Sequence, residues 1–183
     1  MTKICVTWLN AVLLMLPLLA SASGSLPLLA AADQGDYEQV RSLLYSAVDV
    51  NSAKPDGTTA LHLAALRDNL DIAELLIQSG ANPSPANDYG VTPLWLACTN
   101  RSVDMVGLLL QAGADPNAEL WTGETVLMNC ARTGATAAVA ALLGAGAYVD
   151  AAEANFGQTA LMWAAGGGHS EVTRLLIEHG ADI

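Results

Sequence analysis

Apolar residues recur in this chain at the spacing of short amphipathic helices. Leu61, Ala64 and Ala65 stand at i, i+3 and i+4, which places them on one face of a helix. Positions 72, 75 and 76 carry Ile, Leu and Leu with the same periodicity, and Gly80 then ends the run. A short polar stretch separates the two patterns. We therefore predict two short helices joined by a turn.

This two-helix pattern is repeated along the chain at a nearly constant length. Four copies begin at glycines spaced by 33, 33 and 34 residues, namely Gly57, Gly90, Gly123 and Gly157. Each of these glycines is followed by a threonine two positions later and a leucine four positions later. A degenerate copy starts at Gly24. Internal repetition at this period indicates a stacked array of small units.

The period, the Gly-x-Thr-x-Leu phrase and a recurring Gly-Ala-Asp closure together resemble the ankyrin repeat family over residues 24–183. The resemblance implies an all-α solenoid of helix–turn–helix units, with a hairpin projecting between consecutive units. Each unit would be stable only against its neighbours. The residues fit this fold: the threonine of each phrase can cap a helix, and paired alanines let helices of adjacent units approach closely.

We divide the chain into a leader and five units: 1–22, 24–56 (degenerate), 57–89, 90–122, 123–156 and 157–183. Two local departures stand out. Asp68 and Arg101 occupy the turn position that Gly134 and Gly168 hold in other units, where a positive φ disfavours a side chain. One additional residue falls within 151–154, so we expect the fourth hairpin to be bulged.

Residues 1–22 have the pattern of a secretory signal peptide. Lys3 supplies positive charge, a mostly apolar run follows from Ile4 to Ala20, and Ala20-Ser21-Ala22 matches the small-x-small cleavage pattern. We predict cleavage after Ala22 and a periplasmic or secreted protein; the alternative is an uncleaved anchor helix. With this leader, the chain resembles an exported, bacterial-type ankyrin repeat protein.

The last unit has no polar capping repeat after it, since Ile183 directly follows Gly-Ala-Asp. Terminal repeats normally present a polar outer face. We expect part of the surface formed by Val172, Leu175, Leu176 and Ile177 to be exposed. Three hypotheses follow: the chain is truncated, a partner covers this end, or a second copy covers it by self-association.

Charge and composition exclude several classes of function. The chain has 18 acidic against 7 basic residues, a formal net charge of -11, which disfavours nucleic acids and anionic membrane surfaces. We find no hydrolytic or phosphate-binding motif, and His169 and His179 lack the i, i+4 spacing of a helical metal site. His62 matches a family histidine that bonds within its turn. We expect no catalytic residue, cofactor or metal.

Cys98 and Cys130 occupy small helix positions where other units carry alanine. We expect inert thiols in the core. The alternative is a disulfide in an oxidising compartment, but neighbouring helices pack about 8–10 Å apart and a disulfide needs Cα atoms within about 7 Å.

The resemblance places partner contacts on the hairpin tips and on the ends of the first helices. The predicted partner-binding residues are Leu66, Arg67, Asp88, Tyr89, Val91, Asn100, Trp121, Thr122, Glu124, Arg132, Asn155, Phe156 and Gln158. Tyr89, Trp121 and Phe156 give three consecutive tips an aromatic ring, a residue type typical of interface anchors. The alternative is that each ring packs on the next hairpin.

The favoured function is therefore a non-catalytic protein–protein interaction module that acts outside the cytoplasm through its concave hairpin and first-helix surface. Asp88 and Glu124 favour a basic partner. The alternative function is an accessory docking segment of a longer secreted or membrane-associated protein whose activity lies beyond Ile183.

Overall fold

The computed structural model describes residues 26–183, and the predicted signal peptide lies outside this range. The described chain forms ten α-helices arranged as five consecutive pairs. They are α1 Pro27–Gln34, α2 Tyr37–Tyr45, α3 Ala60–Leu66, α4 Leu70–Gln78, α5 Pro93–Asn100, α6 Val103–Gln111, α7 Val126–Thr133, α8 Thr136–Gly144, α9 Ala160–Gly166 and α10 Ser170–Glu178. The same residues contain isolated β-bridges but no β-strand. None of these helices has the length and apolar character needed to cross a membrane.

The helices form two layers. The first helices of the pairs pack in sequence, α1 on α3, α3 on α5, α5 on α7 and α7 on α9, and the second helices form a parallel row behind them. The first helices contact one another more extensively than the second helices do. The first helices therefore form the more closely packed layer.

Small residues make the close contact of the first helices possible. Ala64, Ala97, Cys130 and Ala164 occupy one column of the stack and are all fully buried. A larger side chain in this column would force the helices apart, since protein interiors are close-packed. The predicted role of the paired alanines is confirmed.

Threonine side chains begin four of the first helices, as predicted. Thr59, Thr92, Thr125 and Thr159 each accept a hydrogen bond from the backbone N–H three residues later, at 3.2–3.5 Å. An accepted bond of this kind satisfies a backbone donor that has no partner inside the helix.

The two predicted departures from the repeat are both present. Asp68 and Arg101 have φ angles of 54° and 60°, close to the 71° of Gly134 and Gly168. In the hairpins, Ala53 is bridged to Thr59 and Glu119 to Thr125, whereas Ala152 is bridged to Thr159, one residue further along. The additional residue is therefore accommodated within the fourth hairpin, which is bulged.

A ladder of side-chain hydrogen bonds joins the loops that follow the second helices, and sequence reasoning missed it. Each side chain accepts the backbone N–H of the next unit at 2.7–2.9 Å, in the pairs Asn51 with Asn82, Ser84 with Asp115, Asn117 with Tyr148, and Asp150 with Asp182. These bonds fix the register of neighbouring units, because each joins one loop to the corresponding loop of the next unit, 31 or 32 residues further along the chain.

The outer face of the fifth unit is partly exposed, as expected. Val172 and Leu176 are buried, while Ile177 is 43% exposed. On the same helix, Arg174 forms ion pairs with Glu171 and Glu178. The outer face of α10 is therefore a mixed apolar and ionic surface.

Candidate partner-binding surface

The three aromatic hairpin residues are held away from the body of the protein. Tyr89 is 62%, Trp121 78% and Phe156 85% exposed. A ring packed on the next hairpin would be largely covered, so the ring-packing alternative is wrong for these residues.

The backbones of the tips are held in place although their side chains are exposed. Asn87 Oδ1 accepts the N–H groups of Tyr89 and Val91, both at 3.0 Å. Successive hairpins also pack closely: a Cβ on Gly90, whose φ is 80°, would lie 2.8 Å from the Glu119 carbonyl oxygen. Only glycine fits there. The aromatic rings thus project from a rigid base, which lowers the entropy lost on binding.

The fourth tip is built around the carboxylate of Glu153, which sequence reasoning did not single out. Glu153 is 5% exposed, and its oxygens accept the backbone N–H groups of Asn155, Phe156 and Gln158 at 2.7–3.1 Å. These bonds, led by the one from Gln158, lower the pKa of Glu153 because they stabilise the ionised form. The bulged hairpin is therefore ordered by an anionic side chain.

The predicted partner-binding residues divide into exposed and half-buried groups. The exposed residues are Leu66, Arg67, Asp88, Tyr89, Asn100, Trp121, Arg132, Asn155 and Phe156. The half-buried residues are Val91, Thr122, Glu124 and Gln158. All of them lie on hairpins or first-helix ends. Whether they bind a partner stays a prediction.

Some of these residues also join neighbouring units. The Arg67 guanidinium donates two bonds to Asp33 Oδ1 at 2.9 and 3.0 Å. Asn100 Nδ2 donates to the carbonyls of Ala65 and Leu66, both at 3.0 Å, and so caps the end of the preceding first helix. Substituting Arg67 or Asn100 would therefore disturb stacking as well as the surface.

Arg132 is positioned by a buried asparagine that the sequence analysis did not identify. Asn129 is 1% exposed, and its Nδ2 donates to the Trp95 carbonyl and to Thr99 Oγ1, both at 2.9 Å. Its Oδ1 then accepts from the Arg132 guanidinium at 2.6 Å. The third unit thus orients an arginine of the fourth. The only sequence signal is an asparagine where other units carry alanine, leucine or tryptophan.

Cys98 and Cys130 form a disulfide, so the expectation of inert free thiols is wrong. Their Cα atoms are 4.8 Å apart, and both residues are fully buried between α5 and α7. The expectation failed because it compared helix axes with Cα atoms. With axes about 8–10 Å apart and Cα atoms about 2.3 Å from each axis, facing Cα atoms approach to about 4–5 Å.

The histidines have structural partners. The Thr59 N–H donates to His62 Nδ1 at 3.1 Å, and His62 Nε2 donates to the Val91 carbonyl at 2.9 Å, which links two hairpins. Burial lowers the pKa of His62. His169 donates from Nε2 to the Arg132 carbonyl at 3.0 Å. No group of three or more potential metal ligands occurs in residues 26–183.

The stacked helix pairs, interlocked loops and projecting hairpins define an all-α repeat solenoid. A family model described as ankyrin repeats (3 copies) matches residues 28–120 and 117–183. The chain belongs to the ankyrin repeat family. Proteins of this family are generally protein–protein interaction modules and are typically non-catalytic. A search of curated proteins finds no match to the chain.

Proposed function

We propose that this protein is a binding module that acts outside the cytoplasm, in the periplasm or after secretion, and holds a protein partner on its hairpin and first-helix surface. The main support for this proposal is the row of exposed aromatic rings of Tyr89, Trp121 and Phe156 on hairpin tips with a fixed backbone. Large exposed aromatic residues on a fixed backbone are typical anchors of protein interfaces.

Two features support action outside the cytoplasm. The leader over residues 1–22 has the pattern of a signal peptide. The disulfide between Cys98 and Cys130 favours an oxidising compartment, because cytosolic thiols are kept reduced.

The charges of the hairpins favour a basic partner surface. Exposed or half-buried carboxylates on the hairpins are those of Asp56, Asp88, Glu119 and Glu124. Lys54 is the one basic residue on the hairpins of the described chain. A cationic partner would be attracted to this row and would associate faster at low salt.

The proposal is tested by photo-cross-linking in the exported protein. A cross-linker placed at position 122 should capture a partner, and Trp121→Ala should reduce capture strongly without changing the unfolding temperature. Tyr148→Ala is the matched control, because Tyr148 is 70% exposed but lies in the loop after α8 rather than at a hairpin tip.

Equal capture by the parent protein and by Trp121→Ala would reject the aromatic-tip surface. An exported chain that still carried Met1 would reject signal cleavage. The accessory docking function has no observation of its own in residues 26–183 and stays a prediction, as does self-association through the fifth unit.

A further inference from the structure

A small cavity lies on the first-helix side between the fourth and fifth units. We call it the notch: a half-open space of about 370 Å³ lined by Arg132, Gln158, Met162, Trp163, Gly166 and Gly167. This volume is at the small end of ligand pockets and suits a single amino-acid side chain or a small molecule.

The notch exists because the fifth unit lacks side chains where other units have them. Gly166 stands at the position filled by Asp33, Leu66, Thr99 and Arg132 in the preceding units. A Cβ on Gly166 would meet no atom within 4 Å, so the space beside it is open. Beside Gly167, by contrast, the His169 ring fills the space, 2.7 Å from where a Cβ would lie.

One wall of the notch carries an arginine that has no carboxylate partner. In residues 26–183, the ion pairs are those of Arg41, Arg67 and Arg174. Arg132 bonds only to the neutral Asn129 amide, although the chain has 18 acidic against 7 basic residues. Because Asn129 is itself fixed by the third unit, the guanidinium is held in place with donors to spare.

The other wall is apolar with one unsatisfied donor. Met162 is 56% exposed, and the half-buried Trp163 ring lies beside it in the lining. The indole Nε1–H of Trp163 is buried and has no acceptor among the described residues. A buried donor without a partner is costly.

We infer that the notch binds a carboxylate side chain, that of a glutamate flanked by apolar residues in an extended segment of the partner. Arg132 would take the carboxylate, since guanidinium matches its two oxygens, and Met162 and Trp163 would cover the aliphatic stem. This inference rests on the proposed function and adds an acidic anchor to a partner whose basic groups face the hairpins.

The test follows the Trp163 indole signal in NMR spectra of the oxidised, isotope-labelled full chain, assigned with Trp163→Phe. The probe is a blocked pentapeptide with one central glutamate between leucines. We expect saturable shifts of the Trp163 signal but not of the Trp121 signal. The same peptide with glutamine should bind about tenfold more weakly or worse, because the charged hydrogen bonds are lost.

Three variants locate the binding. Arg132→Gln should weaken it by about tenfold or more. Gly166→Leu, which copies Leu66 of the second unit, should abolish binding by filling the notch while keeping the unfolding temperature. Arg101→Gln removes an equal charge outside the notch and should bind like the parent chain.

Equal binding of the glutamine peptide, or an unchanged affinity of Arg132→Gln, would overturn the inference. Binding only of a peptide that presents its carboxylate at a free C-terminus would also overturn it. Partner capture that is lost in Trp121→Ala but kept in Gly166→Leu would reject the notch and leave the proposed function standing. Binding of the glutamate peptide without any partner capture would reject the proposed function and leave the carboxylate site in the notch standing.

Discussion

The central junction, between α5 and α7, and the last junction, between α7 and α9, use equivalent positions of the repeat in different ways. At the central junction Cys98 and Cys130 form a covalent bond, and at the last junction the same pair of positions holds Ala131 and Ala164, which are also fully buried. The close packing is thus common to both junctions, and only the central one adds a cross-link.

The residues around these contacts differ more strongly. The central junction carries Asn129, which bonds back to the third unit, and Thr133, whose Oγ1 donates to the Cys98 carbonyl at 3.2 Å. The last junction has Trp163 and Gly167 at the equivalent positions and contains the notch. One backbone arrangement therefore supports a cross-linked interface and one that contains an open cavity.

The largest expected effect comes from truncating the leucine that each junction buries. Leu127→Ala should destabilise the protein toward the upper end of about 2–5 kcal/mol, because Leu127 is 1% exposed and its truncation would leave a buried cavity. Leu161→Ala should reduce the free energy of unfolding by an amount near the lower end of that range, because Leu161 is 9% exposed. Denaturant unfolding measures the loss of unfolding free energy in both variants. Equal losses would contradict the view that the two junctions are packed differently.

Removing the disulfide should have the next largest effect. Cys98 and Cys130 are 32 residues apart, and closing a loop of that size stabilises by about 3–4 kcal/mol in the chain-entropy description, with engineered cases often giving less. The double variant Cys98→Ala, Cys130→Ala should unfold at lower denaturant concentration and become insensitive to reductant. If reductant leaves the parent protein's unfolding unchanged, the central junction is not covalently locked.

Substitutions in the turn between the paired helices should change stability by smaller amounts, and in opposite directions at Gly134 and at Arg101. Gly134→Ala should destabilise by about 1–3 kcal/mol, since φ is 71° and the added Cβ would lie 2.5 Å from the His169 ring of the last junction. Arg101→Gly, at the same position one unit earlier, should stabilise by about 0.5–1 kcal/mol. Thermal unfolding of the two variants should shift in opposite directions, and shifts of the same sign would contradict this account of the turn.

The smallest effect is a pH dependence confined to the hairpin before α9. The pKa of Glu153 is lowered by its backbone hydrogen bonds, so the folded state holds fewer protons than the unfolded state in acid. Its stabilising contribution is complete above the unfolded pKa of about 4.3 and is lost as the pH falls through the lower folded value. Glu153→Gln should flatten the acid limb of stability against pH below about pH 4, compared with Glu119→Gln as an exposed control.

Much of the fold follows from local pattern. The threonine caps, the buried alanine columns and the strained turns at Asp68 and Arg101 were all predictable, because each depends on residues close together in the chain. The ladder of side-chain hydrogen bonds, such as that between Asn51 and Asn82, could not be predicted, and neither could the contact between Asn129 and Trp95. Each of these bonds joins residues about one repeat apart, and the directions of their side chains are set by stacking.

The candidate surface shows the same division. The sequence indicated which hairpins carry rings, but the exposure of Tyr89, Trp121 and Phe156 depended on how each hairpin packs against the next. The notch could not be predicted, since Gly166 and Gly167 resemble ordinary turn glycines until Arg132 of the preceding unit is placed beside them.

The sequence by itself determined the repeat, its helix pairs and its family resemblance, since a period of 33 residues with fixed caps and apolar spacing permits few other folds. Only the tertiary structure decided that Cys98 meets Cys130, and that Arg132 faces an empty space. The physical reason is that contacts between units depend on the distance and rotation from one unit to the next, which no single unit specifies.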